Sequence, residues 1–355
     1  MVYFGRSYYR VAVVTGSNRG IGLEIVRQLA TEGVTVVLAA RDEKKGIEAA
    51  SSLHQLGLPS VVFHQLDVQD PVSIESLAKF IKDRFGRLDI LVNNAGASGV
   101  QVDVDGLKAL NIDPQSWLSG KATNMVQSVI IQTYEKGVEC LNVNYYGCKR
   151  VAEALLPLLE LSAAGASIVN VTSLRGELRV SEVLPGIARL LWASLPFLII
   201  ILQFLDSAYS GADNVYQISD KYCLHFLALQ RVPNEKIRNE LADIETLTVE
   251  KVDKIVEKFL QDLKDNALEA NGWSLMLPSY SVSKVTLNAY TRVLAKKYPN
   301  MCINCVHPGF VKTELNWNTG TQSVAEGARG PVMLALLPTG GPTGCYFDQT
   351  LMAQF

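Results

Sequence analysis

The sequence predicts an α/β chain, a doubly wound parallel sheet of about seven strands with helices on both faces. Three observations carry this. Short Val/Ile/Leu-rich runs alternate with helical patterns along the chain. The runs are apolar throughout instead of alternating with polar residues, the mark of strands covered on both faces. No linker-like stretch divides the 355 residues, so positions 1–355 read as one domain with ample core.

The elements follow in order. "RVAVVTG" (10–16) is a first strand, and "IGLEIVRQLATEG" (21–33) a helix closing on Gly33. "VTVVLAAR" (34–41) and "SVVFHQLDV" (60–68) are the second and third strands. "IESLAKFIKDRFG" (74–86) is a helix ended by Gly86, and "LDILVNNAG" (88–96) a fourth strand. A helix around 142–160 precedes "SIVNVTS" (167–173), the fifth strand. "CINCVHPG" (302–309) is the sixth and "GCYFD" (344–348) the seventh. Such a fold puts its ligand at the carboxyl ends of the strands.

Composition excludes several classes. Lys plus Arg is 33 and Asp plus Glu 35, with no long run of either sign, so no nucleic-acid partner is expected. The six cysteines form no disulfide framework. Cys302-x-x-Cys305 lies in a strand pattern without a second ligand pair, so no metal is expected. The N-terminus lacks a long apolar stretch before the first strand; a reducing, cytoplasmic setting is the expectation.

The first strand runs into "TGSNRGIG", with Gly16, Gly20 and Gly22 between strand and helix. In that context glycines let the backbone approach a pyrophosphate, whose charge the helix N-terminus favours. An acid that would bond the ribose hydroxyls is expected at the end of the second strand. Ala40 and Arg41 stand there instead, and Arg19 sits in the glycine loop. Two guanidiniums suit a 2′-phosphate, so NADPH (NADP+) is expected over NADH. Asp42, one place later, offsets Arg41 in part.

"YSVSK" sets Tyr280 and Lys284 one helical turn apart on one face. A neighbouring ammonium favours phenolate, so the hydroxyl can exchange a proton with a carbonyl or alcohol oxygen. Ser173 ends the fifth strand, where its hydroxyl can bond the substrate oxygen. Asn144, in "NVNYYG", begins a helix beside the fourth strand, and Asn94 to Gly96 lie at that strand's carboxyl end.

"TGSNRGIG", "NNAG", "NVTS", "YSVSK" and "HPGFVKT", in this order, resemble the classical short-chain dehydrogenase/reductase family. The resemblance implies a Rossmann-type fold and hydride transfer between NAD(P)H and a carbonyl compound. Tyr280 would be the general acid, Lys284 would hold the ribose and tune Tyr280, Ser173 would polarise the carbonyl, and Asn144 would hold a water in a proton relay. Asn18 and Ile21 would join the glycines at the cofactor, with Asp67 and Val68 by the adenine. Asn94, Ala95 and Gly96 would line the cleft, and Pro308, Gly309, Val311 and Thr313 would hold the nicotinamide carboxamide.

Tyr280 lies 107 positions after Ser173, against about a dozen in most of the family. Part of the excess, 231–278, carries a helix capped by Thr248 with apolar Val252, Ile255, Val256, Phe259, Leu260 and Leu263. Such an insertion resembles the plant monomeric subgroup of salutaridine and menthone/neomenthol reductases, and carbonyl reductase. It implies a monomer and an apolar, cyclic carbonyl substrate of the monoterpenoid or alkaloid type. Trp273 and Met276 suggest a pocket wall.

The rest of the excess, Val180 to Gln230, is atypical. Leu184 to Leu205 is long enough to span a bilayer, at roughly 33 Å as a helix. A single crossing would, however, part Ser173 and Asn144 from Tyr280 and Lys284. An interfacial contact through 180–205 or a lid over the cleft is the second reading. The third is a translated intron: valine codons begin GT, one glutamine codon is CAG, and excision would leave a Ser–Tyr gap of 56. Should the stretch displace Ser173 from Tyr280, the chain would bind NADPH without turnover.

Overall fold

The computed structural model describes residues 9–113, 123–177 and 232–355. The stretch 180–230 lies outside them, and so do the membrane, lid and intron readings placed on it. Among the described residues no helix is long and apolar enough to cross a membrane.

Strands β1 (Val11–Thr15), β2 (Thr35–Ala40), β3 (Val61–Gln65) and β4 (Ile90–Asn93) form one half of the main sheet. A small hairpin, β5 (Gln101–Val102) and β6 (Ile130–Ile131), stands apart. Strands β7 (Ser167–Val171), β8 (Cys302–His307), β9 (Tyr346–Asp348) and β10 (Leu351–Ala353) form the other half. The order is β10-β9-β8-β7-β4-β1-β2-β3, parallel except for β10. That last strand makes eight where the sequence suggested about seven. It is only three residues long and largely exposed, so it lacks the apolar run that marks the others.

Burial on both faces explains the apolar strands. Val11 and Val13 of β1 face one helical layer, Ala12 and Val14 the other. The first layer holds α3 (Pro71–Phe85), α6 (Cys148–Leu159) and α9 (Pro278–Lys297). The second holds α1 (Gly20–Thr31), α2 (Glu43–Gln55) and α10 (Val324–Ala335). Short polar caps fix their starts: Asp42 accepts from Lys45 N, Asp70 from Val72 N, and Ser323 exchanges bonds with Glu326. A short α4 (Val104–Ala109) lies beside the hairpin.

The helix expected around 142–160 starts earlier. It begins as α5 (Tyr134–Leu141), capped by Thr133, passes through a π-helical turn at Asn142–Gly147, and continues as α6. Asn144 therefore does not begin a helix; it sits inside a long one. A π-turn leaves no periodic signature in sequence, and such turns mark functional sites.

The insertion supplies α7 (Glu235–Ala242) and α8 (Val249–Lys264). Thr248 caps α8 through Lys251 N, and Val252, Ile255, Val256, Phe259 and Leu263 are buried against α5 and α9. Leu260 is half-buried on the same core. Trp273 does not form a pocket wall: it packs edge-on against Phe259 at 5.1 Å, its indole N–H donating to Asp262 at 2.7 Å. Met276 packs instead with Leu277 and Val129, in a small cluster that Tyr280 joins.

Candidate active site

The strand order reverses at β1, which lies between β2 and β4, and the crevice at that point opens at the carboxyl ends of the strands. The glycine loop forms its first wall. Gly16 and Gly20 hold φ of 61° and 57°, left-handed values that disfavour a side chain. At Gly22 a Cβ would stand 2.4 Å from Asn94 Nδ2 and 2.7 Å from Gly16 O. Asn94 closes this wall by donating to Thr15 O and Gly16 O at 3.0 and 3.1 Å. Thr15 Oγ1 accepts from the N–H groups of Asn94 and Ala95. The first turn of α1 has no side-chain cap, so its N–H groups stay available to an anion. This cradle, bare of side chains at Gly16, Gly20 and Gly22, fits a dinucleotide pyrophosphate.

On the expected adenosine side Arg41 is exposed, and Asp67 Oδ1 accepts from Gln69 N at 2.9 Å. Val68 is buried against Gly147. The carboxylate of Asp42 is engaged as the α2 cap and lies 3.7 Å from Lys45 Nζ. Arg19, the other guanidinium expected there, is ion-paired to Glu314, just after Thr313.

The chemical end brings together what the sequence separates by 107 positions. Ser173, at the end of β7, and Tyr280, in the first turn of α9, line one cleft with Pro308, Gly309, Val311 and Thr313. Lys284 is buried one turn on. Its Nζ donates to Val171 O at 2.9 Å and stands 5.6 Å from the Tyr280 ring centroid. Thr172 Oγ1 bonds Lys284 O at 3.5 Å, so the strand end is tied to the helix that carries the tyrosine. Leu277 enters α9 with φ 52° and ψ 54°. A left-handed leucine costs on the order of 1 kcal/mol or more, a strain typical of functional sites.

Asn144 is fully buried. Its Oδ1 accepts from Ala97 N at 2.7 Å, and its Nδ2 donates to Ala97 O at 3.0 Å and Ser283 Oγ at 2.9 Å. Ser283 Oγ in turn donates to Tyr280 O at 2.8 Å. Both ends of the Asn144 amide, the residue expected to hold a relay water, thus bond the protein. Burial pushes the neighbouring Cys140 thiol, 3.3 Å from Asn144 Nδ2, up to about 12.

Sequence reasoning missed Ser283, although it lies inside the quoted "YSVSK" at helical spacing from Tyr280. It also missed Arg175, Leu277, Phe310, Leu315 and Trp317, which line the cleft as well. The four apolar ones look like core in sequence, and Arg175 like a surface charge; only the fold turns them to the opening.

Comparison with known proteins agrees with this geometry. The family profile described as short chain dehydrogenase matches residues 10–185. The chain is 41% identical over 350 residues to (+)-neomenthol dehydrogenase of Arabidopsis thaliana, with 98% of each covered. It is 31% identical over 336 residues to carbonyl reductase (NADPH) 3 of Mus musculus, covering 93% of this chain and 91% of that one. The solved structure of salutaridine reductase from Papaver somniferum superposes with a TM-score of 0.76 at 40% identity, covering 96% of this chain and 99% of that one.

Proposed function

Since the chain belongs to the short-chain dehydrogenase/reductase family and is an oxidoreductase of C=O and CH–OH groups, we propose that it is an NADPH-dependent carbonyl reductase. Its substrate in this reading is an apolar, cyclic ketone or aldehyde of the monoterpenoid or alkaloid type. The relatives named as neomenthol dehydrogenase and salutaridine reductase support the class, and the name of the mouse relative supports the cofactor. The enzyme is read as a cytoplasmic monomer, with α7 and α8 packed over α5 and α9. Nothing in the comparisons supports the alternative of a nucleotide-binding chain without turnover.

One observation carries the reading: Ser173 and Tyr280 open on the same cleft, with the Lys284 ammonium pinned beside the phenol. The nicotinamide, when bound, supplies the hydride. The chain supplies the rest. The glycine cradle and the α1 N-terminus hold the pyrophosphate. Ser173 Oγ donates a hydrogen bond to the carbonyl oxygen and polarises it. Tyr280 gives its hydroxyl proton to that oxygen as charge builds there, and the Lys284 ammonium stabilises the phenolate left behind. A relay water at Asn144 would meet an amide whose Nδ2 is already engaged, leaving its oxygens, backbone or side-chain, as acceptors.

The test is NADPH oxidation with a panel of cyclic ketones. Tyr280→Phe should lose about 10²- to 10⁴-fold in kcat while still binding NADPH, as followed by nucleotide fluorescence. A Phe variant as active as the parent would refute the role of Tyr280.

A further inference from the structure

Three consecutive residues reach across the mouth of the cleft, and the family resemblance gives a role only to the first, Thr313. Thr313 Cγ2 lies 3.7 Å from where a Cβ on Gly20 would stand. Leu315 Cδ2 comes within 4.0 Å of the same point on Gly96. Between them Glu314 is ion-paired to Arg19. The segment is braced from within: Asn316 Nδ2 donates to Val311 O at 2.8 Å, and its Oδ1 accepts from Thr313 N at 3.2 Å. It therefore crosses from the glycine loop to the "NNAG" wall as one piece, and the Arg19–Glu314 pair is its charged attachment.

Arg19 is also the guanidinium that the glycine loop offers to a nucleotide 2′-phosphate. A phosphate carries more charge than a carboxylate and matches the same planar donor fork. The two anions compete for one cation. Both partners are more than half exposed, at 61% and 64%, so the pair is weak and the exchange costs little.

We propose that Glu314 is a cofactor-selectivity residue. It holds Arg19 when no 2′-phosphate is present and gives it up when one arrives. NADP(H) then detaches the strap from the glycine loop, whereas NAD(H) leaves it attached. This rests on the NADPH reading above and adds to it a residue that tempers the preference.

The test measures dissociation constants for NADPH and NADH by fluorescence titration at low salt. It uses the full-length protein, Glu314→Gln, Arg19→Gln and the double variant. Glu314→Gln should tighten NADPH about two- to fivefold, the span of an exposed ion pair, and leave NADH unchanged. In the Arg19→Gln background the Glu314 substitution should do nothing, because the cycle has lost its shared partner. Equal tightening of both nucleotides, an effect that survives without Arg19, or no effect at all would each overturn the proposal. If the parent binds NADH as tightly as NADPH, the NADPH reading falls and this inference with it. If the parent prefers NADPH and Glu314→Gln does not respond, only this inference falls.

Discussion

Asn144 spends its amide on Ala97 and Ser283, and Cys140 lies against that amide with no solvent access. The thiol cannot ionise there without burying a charge, and that is why it is pushed up to about 12. The sign of the pH effect follows. The unfolded chain loses this proton near pH 8.5, the folded one near 12, so the folded state binds more protons between those values. Its stabilising contribution is whole below about pH 8.5 and is lost as pH rises toward 12. Buried Cys148, raised to about 11, acts in the same direction. Melting temperature should therefore fall between pH 8 and 11, and Cys140→Ala should flatten that fall; parallel curves for parent and variant would count against it. At this scale, residue type and spacing made Gly16, Gly20, Gly22, Ser173, Tyr280 and Lys284 legible. The state of Asn144 was not legible, because a π-turn has no period. Neither was the Arg19–Glu314 pair, since nothing local links residues so far apart in the chain.

Helix α8 shows how much of an element a sequence can disclose. Its apolar stripe and its Thr248 cap follow from i, i+3 and i, i+4 spacing, and both are present. The polar residues on the same helix gave no such signal, yet they fix where it docks. Asp253 accepts from Tyr145 OH at 2.7 Å and from Lys149 Nζ at 2.6 Å. Tyr145 is fully buried in the π-turn beside Asn144, and its ring meets Tyr290 of α9 edge-on at 6.2 Å. The insertion thus braces the segment that carries a candidate catalytic residue. Asp253→Ala would strand a buried phenol and a mostly buried ammonium, a loss of roughly 2–3 kcal/mol. A urea midpoint should drop accordingly, with Asp253→Asn milder because an amide oxygen still accepts from Tyr145. An unchanged midpoint for Asp253→Ala would show that α8 docks on its apolar stripe alone.

At the scale of the whole molecule the question is whether the core needs 180–230. The sequence left this open, because a long excess between Ser173 and Tyr280 threatens to part them. Instead both line one cleft, and each described flank of the stretch is held by α9 or its neighbours. On one side Asn288 Nδ2 donates to Gly176 O at 2.7 Å, and Tyr346 OH donates to Glu177 at 3.1 Å. On the other, Val232 is buried, Asn234 N donates to Gly272 O at 2.9 Å, and Arg292 donates to Leu241 O and Ala242 O at 3.3 Å. Asn288 and Arg292 are one turn apart, so a single helix face anchors both flanks. We propose on this ground that 180–230 is dispensable, in keeping with a translated intron. A protein with Arg179 joined directly to Arg231 should fold, sediment as a monomer, and turn over at least as fast as the full chain. Loop closure favours the shorter connection, though weakly: each halving of loop length gains only about 0.6 kcal/mol. The melting temperature should thus stay level or rise slightly. A deleted protein that is insoluble, or folded but inactive, would instead make 180–230 part of the working enzyme, as would transcripts that always retain it.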